Sequence, residues 1–303
     1  MSRIEVEKLD TYQGHNDSVY TLHRATDSNR FYSGAGDGLV VQWDLSDPDN
    51  GKLIAKLDNS VYAIHLLEEA DILAIGHNYD GVHFIDLTEK KEKASLNFTK
   101  AAIFDIASYQ NQLYVGDGEG FLHIICLNPL KVVDKIRLAE QSIRTLAVNS
   151  DKKEISVGTS DNTIKILSLI DFRIKQTLQA HENSVFTLCY SPDYKLLLSA
   201  GRDAHLKFWD VEAGYLLIED IVAHMFAINN IAFSPDGKHF VTCSMDKSIK
   251  VWDADRLKLL KVIDKARHAG HGTSVNKLLW TGYKNQLISA SDDRTISTWD
   301  LKF

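Results

Sequence analysis

Residues 180–210 read AHENSVFTLCYSPDYKLLLSAGRDAHLKFWD. An Ala-His pair leads into a β-rich run, then a Ser-Pro-Asp turn and a second run. An Arg-Asp turn and a third run follow, closing on Trp209-Asp210. Three apolar runs parted by turn residues read as three strands. Most of the remaining chain is this unit again.

The acidic residue six positions before each Trp-Asp-like end sets the register. It is Asp37, Asp161, Asp203, Asp246 and Asp293, with Glu119 in the same register and Tyr79 in the remaining slot. The successive steps are 42, 40, 42, 42, 43 and 47 residues. A period of about 40–45 residues with four short strands marks a propeller blade. The expected fold is all-β, a seven-bladed β-propeller of four-stranded antiparallel blades in one domain, 1–303. The units run about 11–52, 53–95, 96–136, 137–178, 179–221, 222–264, and 265–303 plus 3–9. The last unit ends TISTWDLKF and supplies three strands, whereas RIEVEKL at 3–9 alternates apolar and polar with no blade of its own. The N-terminal strand is therefore expected to complete the C-terminal blade, closing the ring without a bare strand edge there. Asp47–Gly51 reads as a loop between strands c and d of the first unit, and no long segment has helical periodicity.

The pairs His15…Trp43-Asp44, His181…Trp209-Asp210, His224…Trp252-Asp253 and His271…Trp299-Asp300 resemble the WD-repeat family across essentially the whole chain. In four units a His precedes strand a, a hydroxyl lies on strand b, an Asp in the b–c turn and a Trp on strand c. They are His15, Ser33, Asp37, Trp43; His181, Ser199, Asp203, Trp209; His224, Thr242, Asp246, Trp252; and His271, Ser289, Asp293, Trp299. The resemblance implies a structural chain from Trp N–H to hydroxyl to imidazole to carboxylate, which is complete in donors and acceptors. Its fourfold recurrence with a Trp suits architecture better than one hydrolytic site. Units two to four carry Leu57, Ile75, Ile85; Thr99, Val115, Ile125; and Ala139, Val157, Leu167 in the His, hydroxyl and Trp places. Joint loss is expected, since removing one partner strands a buried polar group at about 1–3 kcal/mol. Asp161 is expected to keep only its turn role, so Asp203→Ala should cost more than Asp161→Ala.

Lys plus Arg number 34 and Asp plus Glu 41, a net charge of −7, which disfavours a general phosphate-backbone binder. The N-terminus lacks a signal-peptide apolar core, and no apolar run approaches membrane-helix length. A cytoplasmic protein without membrane contact is expected. Cys126, Cys189 and Cys243 lie in separate units and read as free thiols. His268 and His271 are the nearest zinc-like pair, but His271 already has a structural assignment, so neither metal nor cofactor is expected.

WD-repeat relatives often grip peptides at two positions per unit, facing the top mouth of the channel. The first follows the β-branched start of strand a: Tyr20, Tyr62, Phe104, Arg144, Phe186, Asn229 and Asn276. The second precedes the turn acid: Gly36, Asn78, Gly118, Ser160, Arg202, Met245 and Asp292. Aromatics with Arg at a part-exposed centre are enriched at binding hot spots. Two readings stand: a pocket for a peptide, or rings that pack on neighbouring blades and plug the channel. Gly36 and Gly118 leave space beside the aromatics of their units. The longer connection DKARHAGHGTS brings Lys265, Arg267 and His268 to the same rim, where with Arg144 and Arg202 they could form a basic sector. No phosphate loop, Gly-x-Ser-x-Gly elbow or His-Glu-x-x-His occurs, and Gly116–Gly120 reads as turn chemistry. The Trp-Asp-x-Arg box of adaptor-binding family members is missed by one residue at Trp252–Arg256. The expected function is a non-catalytic scaffold, a monomeric propeller within a larger assembly, docking peptides or partner proteins on its top rim. The alternatives are a propeller enzyme or small-ligand binder at the channel mouth, or a subunit of a nucleic-acid-associated complex.

Overall fold

The computed structural model describes residues 4–303. The first strand, β1 (Glu5–Tyr12), is followed by six sheets of four consecutive strands each. They are β2 (Val19–Arg24), β3 (Arg30–Ala35), β4 (Leu39–Asp44), β5 (Asp47–Lys56); and β6 (Ile64–Leu67), β7 (Ile72–His77), β8 (Gly81–Asp86), β9 (Lys91–Asn97). Next come β10 (Ile103–Tyr109), β11 (Gln112–Asp117), β12 (Phe121–Leu127), β13 (Leu130–Arg137); and β14 (Ile143–Asn149), β15 (Glu154–Thr159), β16 (Thr163–Ser168), β17 (Ile174–Gln179). Then follow β18 (Val185–Tyr190), β19 (Leu196–Gly201), β20 (His205–Asp210), β21 (Leu216–Val222); and β22 (Ile228–Phe233), β23 (His239–Ser244), β24 (Ile249–Asp253), β25 (Lys258–Ile263). A four-residue helix, α1 (Lys265–His268), precedes β26 (Val275–Trp280), β27 (Leu287–Ser291) and β28 (Ile296–Lys302). The seventh sheet has the order β1-β28-β27-β26. Seven antiparallel four-stranded blades make the fold a seven-bladed β-propeller.

The chain forms two compact units. One comprises residues up to Ile72 with Leu87–Lys90 and Asn229–Phe303, the other Leu73–Asp86 with Lys91–Ile228. Within each, the core lies in layers between consecutive sheets. In the first unit, Val241, Val251, Val275, Leu278 and Trp299 share one layer, and Tyr12, Phe31, Trp43, Ile288 and Ile296 another. In the second, Tyr114, Ile124, Ile143 and Val157 form one layer, and Ile164, Val185, Leu197 and Trp209 the next. Inner strands such as β15 are buried along their whole length, whereas outer strands such as β17 are mostly exposed.

Ring closure occurs within the first unit. β1 pairs antiparallel with β28 from Glu5↔Lys302 to Tyr12↔Ile296, with a bulge between Lys8 and Asp10. The strand runs three residues beyond the expected 3–9, and Arg3 lies outside the described residues. The expected loop at Asp47–Gly51 is instead the start of β5, because a tight turn at Leu45-Ser46 sets Asp44 opposite Asp47. Asp44 accepts from the Ser46 N–H at 2.8 Å, and Gly51 lies so close to Trp43 that a Cβ would stand 2.5 Å from its ring. The b–c turn needs a left-handed residue after its register acid. Gly38 (φ +76°) and Gly120 (φ +83°) supply it where a Cβ would strike the Leu57 or Ala139 carbonyl at 2.1 Å.

Polar clasps join successive a strands. The Asp105 carboxylate accepts from Leu146 N–H at 2.8 Å, Thr145 Oγ1 from Leu188 N–H at 3.3 Å, and Asn230 Oδ1 from Leu278 N–H at 3.0 Å. Register shifts after Ile103 and Ile143 break the strand-a ladders beside Asp105 and Thr145. Each clasp gives a backbone N–H of the next sheet a partner.

Candidate functional site

The four-residue chain is built from the d–a connection, strand b, the b–c turn and strand c. Trp43 Nε1–H donates to Ser33 Oγ at 2.8 Å, Ser33 meets His15 Nε2 at 2.7 Å, and His15 Nδ1 meets the Asp37 carboxylate at 3.3 Å. The same links join Trp209, Ser199, His181 and Asp203 at 2.9, 2.8 and 2.9 Å. They join Trp299, Ser289, His271 and Asp293 at 2.9, 2.8 and 2.9 Å. In the sixth sheet Trp252 donates to Thr242 at 3.0 Å, and His224 is buried. Burial opposes ionisation of Asp203, but His181 and the N–H groups of Glu182 and His205 outweigh it and hold the carboxyl at about 2. Both ring nitrogens of His15, His181 and His271 are engaged, and the hydroxyls lie inside the sheets. This leaves no serine poised as a nucleophile in these three sets.

Sheets two to four are wired differently from the apolar replacement expected for them. Ile75, Val115, Val157, Ile125 and Leu167 are buried as expected. A second polar network, however, lies two residues before and four after the register position. In the third sheet the acid that bonds is Asp117, not Glu119, which is exposed. Fully buried, the Asp117 carboxylate accepts from His123 Nε2 at 2.7 Å, Thr99 Oγ1 at 3.0 Å, and the N–H groups of Glu119 and Phe121 at 3.0 and 2.9 Å. Burial alone would raise its pKa; these donors hold it below the usual carboxylate value. In the fourth sheet Asp161 does more than hold its turn. It accepts from Thr159 and pairs with the buried Lys165 ammonium at 3.3 Å, which also donates to Thr163 Oγ1 at 2.6 Å. Removing Asp161 would take the carboxylate from that cation, a cost beyond the turn contacts that the expectation for Asp161→Ala counted. In the second sheet His77 Nδ1 and His83 Nε2 stand 3.0 Å apart, and His83 Nδ1 meets Glu92 at 2.9 Å. With Asp80 these two histidines are the His/Cys/Asp/Glu group suited to a metal ion among the described residues.

The first-set rim residues are all half-buried. In the first unit Tyr20 and Tyr62 pack together with centroids 4.7 Å apart. Asn229 donates to Val275 O at 2.8 Å and Ser274 Oγ at 3.0 Å, and Asn276 donates to Val19 O at 3.0 Å and Asp292 at 2.7 Å. These amides tie neighbouring strands together. In the second unit the Arg144 guanidinium lies 4.0 Å from the Phe104 ring centre and 4.9 Å from that of Phe186. Gly118 gives the space beside Phe104, where a Cβ would stand 3.5 Å from the ring; the space at Gly36 is filled by Asp17. Asn78 is buried and accepts from Ile103 N–H at 3.0 Å. Arg202, Met245 and Asp292 are exposed. So are Met225 and Phe226 in the connection before β22, at 82% and 59%, which sequence reading did not single out. Their signal is an apolar pair in a loop between two strands.

The expected basic sector is weakened at its source. Asp264 caps α1 by accepting from Arg267 N–H at 2.9 Å and pairs with the Arg267 guanidinium at 2.6 Å. The His268/His271 pair fails as a metal site because both His271 nitrogens are engaged. Among the described residues no helix is long and apolar enough to cross a membrane.

Comparison with known proteins follows the same division. The family profile described as "WD domain, G-beta repeat" matches residues 6–44, 172–210, 217–253 and 263–300. Those segments hold the Trp-Asp ends; the rewired second to fourth sheets lie between the first two. Periodic tryptophan protein 2 of Saccharomyces cerevisiae is 24% identical over 212 residues, covering 68% of this chain. That alignment spans only 21% of the yeast protein's length.

Proposed function

The chain belongs to the WD-domain, G-beta-repeat family, and from that premise we propose that it is a non-catalytic scaffold that docks a peptide or loop of a partner protein on its rim. The observation that carries this reading is the Phe104–Arg144–Phe186 stack. Three half-buried side chains from consecutive a strands make a rigid surface with both apolar and cationic character. Such residues lose little conformational entropy on binding and are frequent energetic anchors. Arg202, exposed one turn away in the sheet of Phe186, extends the surface toward solvent. Tyr20 and Tyr62 offer a similar paired surface in the first unit. An apolar side chain of the partner fits over the rings, where it removes aromatic area from water at about 25 cal/mol per Å².

The test is affinity purification with mass spectrometry, comparing the native chain with the Phe104→Ala/Arg144→Ala double variant. Stoichiometric partners should be lost from the variant while Leu216→Ser, on the exposed outer strand β21, keeps them. Retention of every partner by the double variant would remove the docking surface from this rim.

A further inference from the structure

We propose that the b–c turn of the second sheet binds one late first-row divalent metal ion of the zinc class, held by His77 Nδ1, Asp80 Oδ2 and His83 Nε2. The three donor atoms come from the end of β7, the turn and β8. Their separations are 3.0 Å between the two ring nitrogens and 3.6 Å from each nitrogen to the carboxylate oxygen. A tetrahedral ion with ligand bonds of about 2.0–2.1 Å needs donors about 3.3–3.4 Å apart. A triangle with the observed sides has a point about 2.0 Å from every corner, so the ion fits with small adjustment. The Asp80 oxygen is beyond hydrogen-bond distance of both rings, yet equidistant from them. A carboxylate placed to accept from one imidazole would stand closer to that one. Equidistance is what a shared cation between the three would require.

The surroundings fit as well. His83 Nδ1 lies 2.9 Å from the Glu92 carboxylate on β9. That bond fixes the Nδ1–H tautomer and turns the Nε2 lone pair toward His77 and Asp80, the carboxylate–histidine arrangement that orients metal-binding rings. The His77, His83 and Asp80 side chains are 11%, 16% and 29% exposed, so an ion can enter and a fourth position can be taken by water. Two imidazoles and one carboxylate suit zinc, copper(II) or nickel(II) better than magnesium or calcium, which prefer all-oxygen sets. The matching positions in the third sheet are Asp117, Gly120 and His123, and in the fourth Thr159, Asn162 and Lys165, so only this sheet repeats the polar pair with three ligands. Ligation uses the neutral rings, so the proton between His77 Nδ1 and His83 Nε2 moves to the other nitrogen of His77 as the ion enters, and excess protons compete with the ion for the rings.

The full chain, freed of any histidine tag and stripped with chelator, is titrated with Zn²⁺ against a chromogenic competitor. One equivalent should bind to the native protein. His83→Gln should weaken binding more than about 100-fold, and Glu92→Gln, which removes only the outer partner, about 10–100-fold. His205→Gln, a surface histidine paired with Asp220, should change nothing. Asp80→Asn alters one part-exposed carboxylate, so it reads the site even where a histidine variant unfolds, and at least a tenfold loss is expected. The proposal is overturned if the His77→Gln/His83→Gln double variant, folded by its melting curve, binds as much Zn²⁺ as the native chain. It is equally overturned if the native chain binds none at 1:1 or if Asp80→Asn binds undiminished.

Discussion

Asp117 and Glu119 are two residues apart and differ by one methylene, yet one is fully buried with four donors and the other faces water. Asp117→Ala should therefore destabilise by about 3–5 kcal/mol, since it strands His123 and two backbone N–H groups, whereas Glu119→Ala should stay within about 0.5 kcal/mol. Urea denaturation of the two variants checks the contrast; similar losses would mean that Asp117 is not the organising acid. A second residue-level outcome concerns His23 and His65, whose rings pack edge to face at 5.1 Å. Burial lowers both, His23 to about 4 and His65 to about 3. The unfolded chain then binds more protons than the folded one between about pH 6.5 and 4, so this pair's contribution is complete above pH 6.5 and shrinks as pH falls. The slope is at most about 1.4 kcal/mol per pH unit per histidine. His65→Phe should flatten the loss of stability between pH 7 and 5, and denaturant melts across that range measure it. The Trp-Ser-His-Asp chains were legible in the sequence because four residue types recur at one spacing. Asp117 was not, because its position two before the register acid is occupied by Ala35, Gly201 or Ser291 elsewhere and carries no shared signal.

At the level of the element, the hairpin explains what spacing could not show. Residues six apart in sequence, His77 and His83 or Asp117 and His123, meet across a tight b–c turn. The strands themselves were readable from alternation and turn residues. The exception, Asp47–Gly51, carries Pro, Asn and Gly yet is paired, since an outer strand leaves its unpaired side to solvent and tolerates them. The outer strand of the seventh sheet is the element with the largest expected effect. Removing residues 1–12 takes the partner from β28 and uncovers Trp299 and Leu301, both buried beside it. The melting temperature should fall by about 10 °C or more, with oligomers forming along the bared edge. A peptide spanning residues 4–12, added in excess, should recover part of the loss. Thermal melts with sedimentation velocity test this; an unchanged monomer would mean that the seventh sheet stands without its fourth strand.

Across the molecule, the seven-sheet architecture was readable because the period survives even where the network does not: the steps stay between 40 and 47 residues. The polar sets diverge sheet by sheet while the clasps Asp105, Thr145 and Asn230 keep one role, each accepting from a backbone N–H of the strand a that follows its own. Pairing of β1 with β28 has a further effect on the timing of assembly. Glu5 leaves the ribosome almost three hundred residues before Lys302, so at roughly 5–20 residues per second that strand waits tens of seconds for its mate. Throughout that wait its apolar side chains have no permanent cover, Ile4 and Val6 on one face and Tyr12 on the other beyond the bulge. Synthesis speed and holding chaperones should then govern yield more strongly than the stability of the finished protein.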